Sequence, residues 1–600
     1  MSPTPDRLAE LVEASAVFGP LSADARAAVV AAMEIREVRR GTTVIHQGAR
    51  ADGLLMVVRG RLRVELVGDD GGRTVLGEVG RGEVAGEMAL ITDGPRSADV
   101  VAIRDSRLAI LPLAAFDALV AEHAGAMRAV STVLIRKLVA TAHGRGPTDA
   151  GATVVVVPVT DTPTTLTAAA DLAATLARTV AGARPGNGDE ARAEVGADAP
   201  PGALQEWCEG LATRSGGAVF LADAVASAWT DACAQQADRI VLVADASHAP
   251  SVRPIETAIA EGTGATRPRT ELVLVHPAAA ATPRNTRWWL APRPVDRHHN
   301  VRSGSATDLE RVARLVTGRA VGVVFSGGGA RGIAHIGVLR ALQARGIPID
   351  AVGGASIGSI VGGAVARGDS PDAIATQIRA AVLDRSPVDI TLPTVSVAAG
   401  GRVTERIKDG AGGLDLEDGW LNFFCVSTNL STRALDVHTT GPAWVAIRSS
   451  FSVPGIFPPM HNDAGETLVD GGVLDNMPVS TMRSLHEGIT VIAIDVGANK
   501  EFTGAGGSAE GAVSGWRALT QGARRRALGS AFGLPKLLMR LTELGAGDPG
   551  DRGDCYVRPG LEGVSLLDFD RFEDLVVGGE RDAGPILDAW IASGGARHWA

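Results

Sequence analysis

Between residues 38 and 113, apolar residues come in short clusters separated by glycine: TTVIHQG (42–48), GLLMVVRGRLRVEL (53–66), RTVLGEV (73–79) and SADVVAIRDSRLAILP (97–112). Valine- and leucine-rich runs at this spacing predict an all-β barrel or jelly roll. Helical stretches flank it, 6–15 and 22–33 before, 113–142 after. Past a break at 143–152 the pattern changes. ATVVVVPV (152–159), RIVLVAD (239–245) and TELVLVHP (270–277) are unbroken apolar runs separated by alanine-rich helical segments, which predicts buried parallel strands in an α/β region. Residues 183–202, ARPGNGDEARAEVGADAPPG, read as a surface insertion. A second α/β region starts near 318 and runs to about 500, followed by a loop (497–515) and a helical tail. The expected organisation is multidomain: a β-barrel domain over 1–142, an α/β middle region over 152–300, an α/β domain over 318–500 and a helical C-terminal region over 501–600.

Composition narrows the function. A net charge of -10 over 600 residues offers no basic field for nucleic acid, so none is expected as a partner. Cys208, Cys233, Cys425 and Cys555 are widely spaced with no C-x-x-C, which argues against a zinc site or a disulfide framework and for a reducing compartment. The first residues lack the pattern of a signal peptide, and no run of 18 uncharged apolar residues occurs. The expected location is cytoplasmic, with membrane contact only at a surface. Between 516 and 540, Arg517, Arg524, Arg525, Arg526, Lys536 and Arg540 alternate with Leu, Phe and Trp without an acid, a candidate for that contact.

The chemistry concentrates in residues 321–363, VGVVFSGGGARGIAHIGVLRALQARGIPIDAVGGASIGSIVGG. Gly327, Gly329 and Gly332 fit the dinucleotide fingerprint G-x-G-x-x-G. That reading needs an acid closing the second strand to bind ribose. Asp350 opens that strand instead, and its end carries Gly354-Ala355-Ser356, so an NAD-linked enzyme is disfavoured. Gly354 to Gly358 forms G-x-S-x-G, which places a serine on a sharp turn between strand and helix with its hydroxyl exposed. Gly327-Gly328-Gly329, at the mouth of the preceding helix, offers backbone N–H groups to an oxyanion. Further on, LVDGGVLDNMPV (468–479) sets Asp470 before two glycines, and RSSFSVPGIFPP (448–459) is a helix end stopped by Pro454-Gly455.

Together these stretches resemble the patatin-like phospholipase family. The resemblance implies Ser356 as nucleophile, an oxyanion loop of Gly327, Gly328, Gly329 and Arg331, and Asp470 as base, a dyad without histidine and without a metal or catalytic cofactor. His335, His438 and His461 are the alternative bases, each read as a packing or surface residue. Arg331 either braces the loop or meets a phosphate headgroup, and Asp475-Asn476 reads as a turn cap.

GEMALITDGPRSADVVA (86–102) resembles the phosphate-binding cassette of cyclic-nucleotide-binding domains. The resemblance implies a site of Gly86, Glu87, Met88, Ala89, Arg96 and Ser97, with Glu87 on the ribose and Arg96 on the phosphate of cAMP or cGMP as a regulatory ligand. A cyclic-nucleotide barrel ahead of a patatin-like domain resembles the neuropathy target esterase group of lysophospholipases, as do RWWL and HHNVR in the middle region. The function implied is hydrolysis of acyl esters of lysophospholipids or phospholipids. The alternative is a cyclic-nucleotide-responsive regulatory or scaffold protein whose patatin-like domain is inactive.

Overall fold

The computed structural model describes residues 5–68, 72–92, 94–123, 152–180, 185–196, 201–215, 217–263, 268–383, 389–392, 395–497, 551–566 and 568–595. They fall into two units, one of residues 1–278 with 292–318, the other of 279–291 with 319–600. The loop expected at 497–515 beyond its first residue, the basic stretch 516–540 and the end of the helical stretch 113–142 lie outside the described residues.

The first unit opens with eight short strands: β1 (Glu34–Val38), β2 (Thr43–Ile45), β3 (Gly53–Arg59), β4 (Leu62–Val67), β5 (Arg73–Val79), β6 (Val84–Ala85), β7 (Asp99–Ala102) and β8 (Ser106–Pro112). They form two four-stranded antiparallel sheets, β1-β8-β3-β6 and β2-β7-β4-β5. Leu55, Val57, Leu62, Val100 and Leu108 fill the core between them. Leu54, Met56 and Leu111 point the other way, onto Val29 and Phe116 of the flanking helices and Phe18 of the turn between the first two, as alternation along a strand requires. β1 was not expected. Four of its five residues are exposed, so Glu-Ile-Arg-Glu-Val presents no apolar run although it pairs along β8 from Glu34↔Ile110 to Val38↔Ser106.

The middle region holds β9 (Thr153–Pro158), β10 (Pro185–Asn187), β11 (Ala218–Leu221), β12 (Arg239–Asp245), β13 (Arg269–His276) and β14 (Arg297–Arg302) in one parallel sheet ordered β10-β11-β9-β12-β13-β14. Helices α1 (Pro163–Thr179) and α2 (Ala306–Val316) cover one face through Leu172, Leu176, Leu309 and Val312. The surface insertion expected at 183–202 is corrected: Pro185–Asn187 pairs with β11, and the Asn187 side chain caps a helix, Gly188–Val195, by accepting from the N–H groups of Asp189 and Glu190. Polar composition disguised an edge strand.

Barrel and middle region are joined through buried charge. Arg61 follows β3 and Arg104 follows β7, and both reach Asp238 at the start of β12, at 3.3 and 3.5 Å. Asp238 also accepts from the Thr153 N–H (2.7 Å), and Arg104 donates to the Gln236 carbonyl (2.8 Å).

The second unit is built on an eight-stranded sheet. Its members are β15 (Val321–Phe325), β16 (Ala351–Gly354), β17 (Asn422–Asn429), β18 (Ala434–His438), β19 (Met460–His461), β20 (Thr467–Asp470), β21 (Thr490–Ile494) and β22 (Cys555–Val557), ordered β19-β20-β17-β16-β15-β21-β22 with β18 beside β17. Around it lie α3 (Ala334–Ala344), α4 (Ile357–Arg367), α5 (Pro371–Leu383), α6 (Gly401–Ala411), α7 (Ala443–Ser450) and α8 (Phe572–Ala592). The described part of the segment expected as a separate helical C-terminal region, residues 551–566 and 568–595, packs with this unit: β22 extends the sheet parallel to β21, and Leu575, Val576, Ala583 and Leu587 of α8 join its core. α8 crosses α3 at a glycine pair. A Cβ on Gly337 would lie 2.0 Å from the Val576 carbonyl oxygen, and one on Gly579 2.2 Å from that of Ala334, so only two glycines let these backbones meet.

Candidate active site

β15 and β16 are adjacent and parallel, in register from Gly322↔Ala351 to Phe325↔Gly354, so both end at the same sheet edge. β15 delivers the glycine loop there and β16 the elbow. Ser356 has φ 53° and ψ -125°, a conformation that costs a non-glycine residue of order 1–3 kcal/mol and persists only when its surroundings enforce it. They do so here: the Ser356 N–H donates to Ser450 Oγ (3.0 Å), and its carbonyl accepts from the Ser359 hydroxyl (2.6 Å). Gly358 lets the elbow close, since a Cβ there would stand 2.2 Å from the Phe325 carbonyl oxygen. A Cβ on Gly327 would come within 3.0 Å of Ser356 Cβ, which places loop and nucleophile side by side.

Asp470 ends β20, opposite Ser427 of β17. Its Oδ1 accepts from the Gly472 N–H (2.8 Å), and among the described residues the buried Oδ2 has only the nearby Ser356 hydroxyl to turn to. Burial pushes the carboxyl up to about 6, partly offset by the nearby Ser356 hydroxyl and the Gly472 N–H. A base must be ionised to take a proton. Activity is therefore expected to rise with pH through about 6 and level off above it, and a kcat/KM profile whose acid limb lies near pH 4 would contradict Asp470 in that role.

The four residues of the expected oxyanion loop divide. The Gly327 N–H donates to the Asn476 carbonyl (3.2 Å) and the Arg331 N–H to that of Gly328 (3.2 Å), so neither is free for substrate. Gly327, Gly328 and Gly329 all line the cavity that holds Ser356. The Arg331 side chain is buried, and its Nε also donates to the Gly328 carbonyl (3.3 Å), which makes it a brace for the loop. Asn476 clamps the loop from the far side through its carbonyl and through its amide, which donates to the Gly327 carbonyl (3.2 Å).

None of the alternative histidines lines this cavity. His335 is fully buried against Phe325, its Nε2 bonded to the Ser326 carbonyl (2.9 Å), and burial lowers it to about 4. His438 meets the Ser427 hydroxyl (2.7 Å) and His461 is exposed.

The sequence did not reveal the strap that supports both Ser356 and Asp470. Ser450 holds the Ser356 N–H, and two residues on the Ser452 carbonyl holds the Asp470 N–H (3.0 Å). Arg448, buried on the same turn, donates to Ser452 Oγ (2.6 Å) and Thr404 Oγ1 (3.0 Å). A run of serines before Pro454-Gly455 was the available signal.

Beyond Ser356 an apolar cavity of about 240 Å³ opens between α4, α5, α6 and α7. Among the described residues no group of three or more His, Cys, Asp or Glu side chains could hold a metal, and no helix is long and apolar enough to cross a membrane.

In the barrel, Arg96 is buried at the cassette. It donates to the carbonyls of Gly86 and Gly53 (both 2.8 Å) and to Asp52 Oδ1 (2.6 Å), an exposed carboxylate. Glu87 and Ala89 are buried beside it, whereas Met88 and Ser97 face solvent, the Ser97 hydroxyl 3.7 Å from Met88 Sδ.

Elbow and glycine loop lie in a unit of the patatin type: residues 323–483 match the family described as patatin-like phospholipase. Residues 35–123 match the cyclic nucleotide-binding domain, and residues 152–319 the P-loop-like domain of the neuropathy target esterase family. The three matches follow one another along the chain between residues 35 and 483. Similar curated relatives are the lysophospholipases NTE1 of Coccidioides immitis, 31% identical over 94% of this chain and 41% of the relative, and of Yarrowia lipolytica, 30% identical over 91% and 45%. The chain thus spans less than half the length of these relatives. Among solved structures it is similar to the catabolite activator protein of Thermus thermophilus, 27% identical over 21% of this chain and 58% of that one, at a TM-score of 0.20.

The P-loop-like domain departs from a nucleotide-binding P-loop at the decisive turn. After β9 the chain reads Val159-Thr160-Asp161-Thr162-Pro163, without the glycines and lysine that cradle phosphate. Thr162 caps α1 instead, and the Asp245 carboxylate lies 3.4 Å from its hydroxyl, a charge that opposes an anion.

Proposed function

We propose that the protein is a serine ester hydrolase that removes acyl chains from lysophospholipids or related phospholipids. One observation carries the reading: a strained, enforced Ser356 opens onto an apolar cavity with its hydroxyl beside the buried Asp470 carboxylate. Ser356 Oγ attacks the ester carbonyl carbon while its proton passes to Asp470. The N–H groups of Gly328 and Gly329 receive the oxyanion. Collapse breaks the acyl–oxygen bond, and the departing glycerol oxygen takes the proton from Asp470. Water then attacks the acyl-enzyme, giving its proton to Asp470, and the carboxylic acid leaves as Ser356 recovers its proton. The positive end of α4, at the nucleophile, favours negative charge there. Labelling by a fluorophosphonate probe tests the reading: wild type is modified at Ser356, the Ser356→Ala protein is not, and labelling that persists in the variant refutes it.

The same reading takes the barrel as a receptor for cAMP or cGMP and the lipid as reached at a membrane surface. A reducing, cytoplasmic setting suits Cys208, Cys233, Cys425 and Cys555, all buried and unpaired. A cyclic phosphate has to displace Asp52 from Arg96. Arg96→Ala is expected to weaken nucleotide binding roughly 10- to 100-fold, whereas Asp52→Ala binds at least as tightly as wild type. Titration calorimetry checks both, and the absence of heat with either nucleotide at millimolar concentration would reduce the barrel to a docking module.

A further inference from the structure

We infer that the cavity beside Ser356 is a corridor that measures acyl-chain length along α4, and that Gly363 keeps its middle open. The inference rests on the ester-hydrolase reading for the nature of its substrate. Ile357, Ile360, Gly363 and Arg367 line the cavity, a spacing of three or four residues that marks one face of the helix from first turn to last. The void therefore runs the length of α4. Arg367 stands eleven residues past the nucleophile, about 16 Å at 1.5 Å per residue.

The opposite walls are apolar stripes of the same kind, Ile374 and Ile378 on α5, Val403 and Ile407 on α6. Polar side chains gather at the two ends. Ser356, Asp470 and Asn476 stand at the first. At the second, Arg367 donates to Asp369 (3.0 Å), to Gln377 Oε1 (2.7 Å) and to the Gly410 carbonyl, and both Gln377 and Gly410 are exposed. An extended chain advances about 1.2 Å per bond, so 16 Å houses about a dozen carbons beyond the ester carbonyl before the tail meets that polar rim.

Gly363 lies seven residues along, about 10 Å from the nucleophile. A Cβ there would stand 3.1 Å from Ile447 Cδ1 and 3.5 Å from Phe423 Cε1, side chains of the facing wall. A methyl asks only that the Ile447 side chain give by a few tenths of an ångström, but a branched side chain has nowhere to go except into the bore. The remaining depth then holds about eight carbons.

The test uses the full chain and p-nitrophenyl esters of 4 to 16 carbons. In wild type kcat/KM is expected to climb with chain length to about 12 carbons, by up to roughly fourfold per buried methylene, and then to level off. In Gly363→Leu the climb stops near 8 carbons, and the ratio of the 14-carbon to the 4-carbon ester falls at least tenfold. Gly363→Ala keeps that ratio within threefold of wild type. A second arm needs no turnover: saturated fatty acids of the same lengths, below their critical micelle concentrations, are titrated into Ser356→Ala protein with and without Gly363→Leu. Their affinities break at the same two lengths. Loss of hydrolysis in wild type would strike the function and leave this arm to judge the corridor. Affinity indifferent to chain length, or a break point that Gly363→Leu does not move, overturns it.

Discussion

Ser356→Ala and Asp470→Asn are each expected to lower kcat/KM for a lysophospholipid by about four orders of magnitude or more, and the double variant to be scarcely worse than either single one. Non-additivity is the diagnostic feature. A serine without its base is not activated, and a base without its serine has no proton to take, so the first substitution removes what the second would. Stability separates this outcome from unfolding. The folded state holds the Asp470 carboxyl at about 6, above its ordinary value near 4, so ionising it costs the fold stability, a cost that grows as pH rises from 4 to 6 and persists above. An amide there removes that cost, and Asp470→Asn is expected to melt at or above the wild-type temperature at pH 7. Hydrolysis near the wild-type rate by Asp470→Asn would return the role of base to another residue. His335 is poorly placed to take it, held by Ser326 and outside the cavity.

The largest effect on stability is expected at Asp238. Its carboxylate is 2% exposed and is shared by Arg61 and Arg104, which reach it from turns of the barrel while it ties the first residue of β9. Arg61 keeps Glu78 as a second partner (3.2 Å). Arg104 would keep the Gln236 carbonyl and the more weakly acting carboxylates of Glu209 and Glu78, and its guanidinium already loses proton affinity to burial. Removing one member of a buried pair strands the other, at about 3–5 kcal/mol. Asp238→Ala is therefore expected to lower the melting temperature of the barrel-containing unit by roughly 10 °C. Asp238→Asn, which can still accept from Thr153, is expected to lose less. Calorimetric scans of both variants beside wild type decide it, and a shift under 2 °C for Asp238→Ala would show that the pair contributes little.

What the sequence disclosed and what it concealed follow from how each feature is encoded. The glycine loop and the elbow were legible because their backbones need residues without side chains at fixed spacing, and that need is written locally. The long valine runs of β9, β12 and β13 were legible because a strand buried on both faces has no polar positions to confuse its period. β1 and β10 were not: one is charged and exposed, the other three residues long amid polar sequence, and only pairing with a distant strand defines them. Asn476, Arg448 and Ser450 escaped for a related reason. Each acts through a hydrogen bond to a residue 44 to 149 positions away, and no periodicity records such a bond. Arg331 shows the reverse, since its place in the motif was plain while its task, bracing Gly328, required coordinates.

The glycine crossing of α3 and α8 bears on how the protein is made. The Ala330 N–H, within the oxyanion loop, donates to the Leu566 carbonyl (2.9 Å), and α8 seals the helix that follows that loop. A ribosome delivers these parts in order, so Ser356 and its glycines emerge some 200 residues before the strand and helix that hold them in place. Throughout that interval the nascent chain carries Ser356 and its glycine loop without the segment that packs behind them. On the proposed reading, ester hydrolysis is therefore a property of chains that extend through β22 and α8, and it arises late in synthesis.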